Sequence, residues 1–300
     1  MNESATLGRI SNSTFSNSFD DLHLLSWDVF FARALTYLNP WGLSALHWIV
    51  GFILIRGAIA FYDNLVEFLV VYSKVAKLPT REDPVTGATK EVRYVGLNAI
   101  SLIYLIVNAA DEWIFVQNLT HFIWHSEDVP KALNALQPLN TLAALYLMFL
   151  VLDFFYAPAH RFLHWRPVYP YIHKHHHRQI FPVRGYLDAG NEHPIEHIIG
   201  VACTWMAVWC AVRVTGAHAV TIFFFFNIHA ALAMLNHSPY DVDVTILGLN
   251  YSVKAHEMHH RKFTTNYAQY WMGMDKLMGT FVEYRDEGGN VMPAPKGKLL

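Results

Sequence analysis

Eighteen histidines occur in 300 residues, and 14 of them lie between His160 and His260. A buried imidazole needs a partner for each ring nitrogen. Histidine is therefore a costly filler, and so dense a cluster points to metal or proton chemistry. Three groups repeat one spacing. His160 and His164 stand four apart; His173, His176 and His177 stand at i, i+3 and i+4, and so do His256, His259 and His260. On a helix such positions share a face, with Cβ atoms about 5–6 Å apart, so each group can present its rings to one place. Lys174 and His175 point elsewhere. Eight imidazoles exceed what one zinc or iron takes, and suit two metals with four or more nitrogen ligands each.

Two more segments can add to this set. His193 and His197 occur in Glu192-His193-Pro194-Ile195-Glu196-His197, and His237 follows an apolar helix that also holds His229. His193 and His237 are the favoured further ligands, because both sit at a membrane edge beside the other boxes. Asp153, Asp188, Glu196 and Asp275 are candidate acids for orienting ring N–H groups. Iron fits an all-imidazole donor set, and two ferrous ions can share the electrons that reduce O₂. Such a centre beside apolar helices would oxidise a lipid.

Rival chemistries fit less of the sequence. His256-Glu257-Met258-His259-His260 satisfies H-E-x-x-H, in which His256 and His260 would bind zinc and Glu257 would act as base. That intramembrane protease leaves six other box histidines without a role. A metal transporter needs ionisable residues deep in its spans, where Arg56 and His229 are among the few. Cys203 and Cys210 lie in an apolar stretch with no C-x-x-C pair, and read as buried free thiols.

The elements that must position the histidines are membrane helices. The chain is 53% hydrophobic and 15% charged, against about 25% charged in soluble domains. A net charge of −2 implies no nucleic-acid partner. Apolar runs cover 43–62, 94–110, 132–152, 198–212 and 214–236, the last two as a hairpin turning near Gly216, and about 20 residues cross a bilayer core. The segment 64–76 reads as an interfacial helix. The expected fold is all-α: an integral membrane helical bundle of four to five spans with a cytosolic helical cap carrying the di-metal site. Its parts are a polar amino-terminal tail and interfacial segment (1–42), amino-terminal spans (43–152), a catalytic domain (153–284) containing the hairpin 198–236, and a polar carboxy-terminal tail (285–300).

Lys74, Lys77, Arg81, Lys90 and Arg93 follow the first apolar region, whereas 111–131 carries one base, Lys131. The positive-inside rule then puts 74–93, the histidine boxes and the carboxy terminus in the cytosol, and the sequon at Asn118 on the lumenal side. The final Lys296-Gly297-Lys298-Leu299-Leu300 reads as a retrieval signal of endoplasmic reticulum membrane proteins.

His-Arg-x-x-His at 160–164, His-Lys-x-His-His at 173–177, the His-Pro segment at 193–194 and His-x-x-His-His at 256–260 together resemble the fatty acid hydroxylase/sterol desaturase superfamily. Asn266-Tyr267-Ala268-Gln269-Tyr270, Asp275 and Gly279-Thr280-Phe281 resemble its closing stretch. Asn236-His237-Ser238-Pro239-Tyr240-Asp241 is similar to a segment of the sterol C4-methyl oxidases, with Pro239 and Leu235 as departures. The resemblance implies a non-haem di-iron enzyme of the endoplasmic reticulum that uses O₂ to hydroxylate or desaturate a sterol or fatty acid. Squalene-type epoxidation is the alternative within the superfamily. It also implies that the eight box histidines bind metal and that electrons come from NAD(P)H through cytochrome b5 and its reductase. No His-Pro-Gly-Gly haem segment is present, so that donor is a separate protein.

Overall fold

A computed structural model describes residues 27–79 and 95–285. In chain order these form α1 (Trp27–Leu38), α2 (Ala45–Tyr72), α3 (Ala99–His125), α4 (Pro138–Leu163), α5 (Tyr186–Ala189), α6 (Pro194–Thr215), α7 (Ala219–Asn236), β1 (Asp243–Ile246), β2 (Leu249–Ser252), α8 (Val253–Lys262) and α9 (Gly273–Met278). Among them α2, α3, α4, α6 and α7 are long and apolar enough to cross a membrane, which makes this an all-α membrane bundle with five candidate spans.

Local chemistry sets the ends of the spans. Asn98 and Ser101 form a capping box at α3, each side chain accepting the other's backbone N–H. Pro138 and Pro194 open α4 and α6 at positions where a missing N–H costs nothing. Gly216 closes α6 with φ of 63°, a left-handed conformation that favours glycine, and the chain turns into α7 as expected. Small buried residues, Ala144 on α4 and Ala207 and Ala211 on α6, let these two helices approach closely.

Successive spans alternate in direction. The carboxy ends of α4 and α7 and the start of α6 therefore meet at one face, where 164–193 and 237–285 form a cap. The antiparallel β1–β2 hairpin, not foreseen from sequence, leads directly into α8. The end of α2 is tied to this cap: Leu78 N–H donates to Pro239 O at 2.8 Å and Asp241 N–H to Ala76 O at 2.7 Å.

Several boundaries differ from expectation. No glycine or proline interrupts 58–78, so α2 runs unbroken to Tyr72 and absorbs most of the expected interfacial helix. Helix α3 continues past Ala110 because its next residues are paired: Glu112 accepts from Arg56 and from Tyr186 Oη, and Asp111 faces His197. The Asn118 sequon consequently lies inside α3, its amide donating to Tyr37 O and Ile114 O at 2.8 Å each, rather than in a loop. The two cysteines are free, Cys203 buried and Cys210 half-buried. The bases Arg81, Lys90 and Arg93, most of the amino-terminal tail and the retrieval-like carboxy terminus lie outside the described residues.

Candidate metal centre

Nine imidazoles converge at the junction of the bundle and its cap, in two groups. His160, His164, His173, His177 and His259 form one, and His176, His237, His256 and His260 the other; within each, one ring nitrogen per residue lies within 4.8 Å of all the others. The groups adjoin, with the His177 and His260 rings 4.5 Å apart between centroids.

The three boxes do not each serve one group. The pairs four residues apart stay together: His160 with His164, His173 with His177, and His256 with His260. The member at the i+3 position crosses over, so His176 joins the second group and His259 the first. Helix α4 and its end carry the first pair, and α8 the last. The middle box is not a regular α-helix, as its spacing suggested, but turns ending in a 3₁₀ segment at His176–Arg178. His173 N–H still bonds back to Tyr169 O and His177 N–H to His173 O, which keeps the 173/177 pair on one side.

The outward nitrogens fix the inward ones. His160 Nδ1–H donates to Tyr267 O at 2.9 Å, His259 Nδ1–H to Thr265 O at 2.7 Å, His237 Nδ1–H to Ala233 O at 2.9 Å and His260 Nδ1–H to Gln179 O at 3.2 Å. His173 Nδ1 lies 2.7 Å from Glu196 Oε1. A proton on Nδ1 leaves a lone pair on Nε2, and the Nε2 atoms face one another. In the first group, His173 Nε2 is 3.1 Å from that of His160 and 2.9 Å from that of His177, which is 3.1 Å from that of His259. In the second, His256 Nε2 is 3.1 Å from those of His237 and His260.

Facing lone pairs repel unless a cation lies between them. Nitrogens about 2.1 Å from one metal would sit roughly 3.0–3.4 Å from their neighbours, so the donor set fits a metal in each group. Burial first, then the neighbouring imidazoles, holds His173, His176, His177, His256, His259 and His260 well below the ordinary histidine value. These rings are neutral and free to donate to a metal.

His164 alone among the nine is only half-buried. It borders an open cleft of about 450 Å³ lined by Pro158, Arg161, Phe162, Trp165 and Tyr267.

The remaining sequence candidates divide. His237 joins the second group; His193 joins neither, because it caps α6, its Nδ1 accepting from Ile195 N–H at 3.1 Å. His175 turns away to Asn191 Oδ1 at 2.9 Å, as its place in the box implied. Glu196 alone of the four acids contacts a ring of either group. Asp153 and Asp275 act one step further out. Asp153 accepts the N–H groups of Gln269, Tyr270 and Trp271. Asp275 accepts those of Tyr267 and Ala268 together with the Thr280 hydroxyl. They pin the loop whose carbonyls hold His160 and His259. Asp188 is spent on Val183 and Arg184, so its expected contact with an imidazole is not made. Sequence reading also passed over Glu192, whose oxygen lies near His176 and Glu196. Its place in Glu-His-Pro-x-Glu, beside a weighed candidate, was the available signal.

Residues 145–280 match the profile of the fatty acid hydroxylase family. The chain is 31% identical over 147 residues to methylsterol monooxygenase erg25A of Aspergillus fumigatus, covering 47% of this chain and 48% of that one. It is 28% identical over 130 residues to methylsterol monooxygenase 1 of Rattus norvegicus, covering 42% of each. It is 29% identical over 135 residues to Delta(7)-sterol 5(6)-desaturase ERG3A of Gibberella zeae, covering 45% of this chain and 36% of that one. The match thus spans about half or less of the length of these relatives. No solved structure matches the chain. Histidine spacing, the two convergent imidazole groups and the profile coincide on the same stretch: residues 145–280 of this chain are similar to the fatty acid hydroxylase family.

Proposed function

We propose that this chain is a membrane-embedded di-iron oxidase that uses O₂ to hydroxylate or desaturate a lipid, with a sterol as substrate class. The observation that carries the reading is the pair of adjoining imidazole groups, five rings and four, with Nε2 atoms turned inward. His160, His164, His173, His177 and His259 hold one iron, and His176, His237, His256 and His260 the other. Two irons supply the electrons and the Lewis acidity that turn O₂ into an oxidant for an unreactive C–H bond. The chain's own part is to keep the ligand rings neutral and the centre dry and fixed in shape. Carbonyls of Thr265, Tyr267, Ala233 and Gln179 set the tautomers. Burial of eight of the nine rings keeps water from competing. The cleft at His164, with Phe162 and Trp165 exposed beside it, gives an apolar molecule a way in.

The sterol class rests on the relatives, whose names specify methylsterol oxidation and sterol desaturation. Those names favour hydroxylation or desaturation over epoxidation. Within the chain, 43–152 acts as the membrane support and 153–284 as the catalytic unit. Electrons come from NAD(P)H through a separate donor such as cytochrome b5 and its reductase. The enzyme resides in the endoplasmic reticulum membrane, as the resemblance implies, with the cap in the cytosol on the strength of the basic residues near 74–93.

The protease reading loses its base. Tyr284 Oη donates to Glu257 Oε1 at 3.1 Å, and Arg261 lies 3.9 Å from the same oxygen, so Glu257 is engaged away from both groups. The test is metal analysis of purified active protein with lipid profiling of cells lacking it. Two irons per chain and an accumulating sterol precursor are expected. Active protein free of iron would overturn the assignment.

A further inference from the structure

The residues matched by the family profile begin at 145, yet the outer support of the metal centre reaches into α3. Asn108 is fully buried there. Its amide donates to Gly190 O at 3.0 Å and to Glu192 O at 2.9 Å, clamping the main chain just ahead of α6. The Glu192 side chain is fixed in turn by His197, whose Nδ1 lies 2.9 Å from its Oε1, and the far nitrogen of His197 faces Asp111 of α3 at 3.8 Å. Tyr186, just upstream, is bound to Glu112 of α3 and Arg56 of α2. The amino-terminal spans therefore grip 186–197 at four residues.

What they hold in place is a pair of carboxylates behind the metal groups. Glu196 Oε1 lies 2.7 Å from His173 Nδ1, the outward nitrogen of a ring in the five-histidine group. Glu192 and Glu196 each offer an oxygen within 4.8 Å of a ring nitrogen of His176, which belongs to the four-histidine group. His176 Nδ1 is buried and takes no hydrogen bond from any described residue. Glu196 thus touches a ring of one group, and the two acids together lie near a ring of the other. Carboxylates in that position orient the ring and raise its basicity toward a metal, and their loss typically costs about 10–100-fold in metal affinity.

We propose that Asn108 is a positioning residue for both metals, acting through the Glu192–Glu196 pair on His173 and His176. This rests on the two-metal reading above. In that arrangement the amino-terminal half sets the strength of a site whose ligands all lie in the carboxy-terminal half.

The experiment is cobalt(II) titration of the purified, metal-stripped full-length protein in detergent. Stepwise affinities and the visible ligand-field bands are read for wild type, Asn108→Ala, Glu196→Gln and Asn118→Ala. Asn118 is the control: it is the same residue type on the same helix, it also donates two amide bonds, and those go to Tyr37 and Ile114 instead. Asn108→Ala and Glu196→Gln are expected to weaken both binding steps by about 10–100-fold and to shift both sets of bands. Asn118→Ala should leave both steps within about twofold and lower the melting temperature of the stripped protein by less than Asn108→Ala, since its bonds are more exposed than those of the buried Asn108. Equal affinities for Asn108→Ala and Asn118→Ala overturn the proposal, because Asn108 is then only a brace. Loss confined to one step in Glu196→Gln overturns the link between the groups. Wild-type protein that takes up no cobalt would remove the two-metal reading itself, and this inference with it.

Discussion

The five-histidine and four-histidine groups share two boxes but stand on different supports. The first leans on the end of the fold: Tyr267 O and Thr265 O hold His160 and His259, and that loop is pinned in turn by Asp153 and Asp275. The second leans on elements formed without it, the last turn of α7 through Ala233 O and the strand-like Gln179 through its carbonyl. The first is open to the outside at His164, and the second is buried throughout. The crossing of His176 and His259 ties the two together, since the second and third boxes each place three rings and each serves both groups. The same short motif thus yields two sites of unequal access and unequal dependence on the carboxy-terminal loop.

Removing a ring from either group should have the largest effect. His177→Ala and His256→Ala are each expected to lower turnover by more than the 10–100-fold typical of an outer support, with bound iron falling from two toward one per chain. Metal analysis beside turnover checks this. Two irons retained in either variant would break the division into groups as drawn.

Asp275→Ala separates the groups by their supports. It removes the acceptor of three hydrogen bonds and frees the loop that holds His160 and His259. Metal affinity of the five-histidine group should fall by about 10–100-fold while the other group is unchanged. Equal weakening of both would mean the loop supports the whole centre.

Acid sharpens the contrast in metal-free protein. The rings held below the ordinary histidine value near 6.5 stay neutral when folded, whereas the unfolded chain takes up protons as pH falls through that value. The unfolded state then binds more protons, so stability drops below about pH 6.5, by up to about 1.4 kcal/mol per pH unit for each such ring. His256→Ala, which removes one fully buried ring, should flatten the fall in melting temperature between pH 7 and 5. An unaltered pH dependence would show that this ring protonates without unfolding.

The convergence of the boxes was legible because a histidine pair needs only the i, i+4 spacing to share a side, which survives even where the middle box is a 3₁₀ turn. The division of the rings into two groups was not, because it depends on where α4, α7 and α8 end relative to one another. The apolar runs located the five spans, but not their lengths. Asp111 and Glu112 read as the end of a span, since their partners His197, Arg56 and Tyr186 are remote in sequence. Asp188 read as an acid for a histidine because sequence cannot show that the N–H groups of Val183 and Arg184 reach it first.

The smallest effect tests the facing of the middle box. His175 sits between ligands of the two groups, yet its ring bonds to Asn191 and stacks edge-on against Tyr104. His175→Ala removes one neutral hydrogen bond, worth about 0.5–1.5 kcal/mol of stability, and leaves all nine convergent rings in place. Iron content should stay at two per chain and turnover within about threefold of wild type, with only the melting temperature lowered. A loss of iron matching that of His177→Ala would mean the turn at 173–178 presents a different set of rings. The crossover of His176 between the two groups would then fall with it.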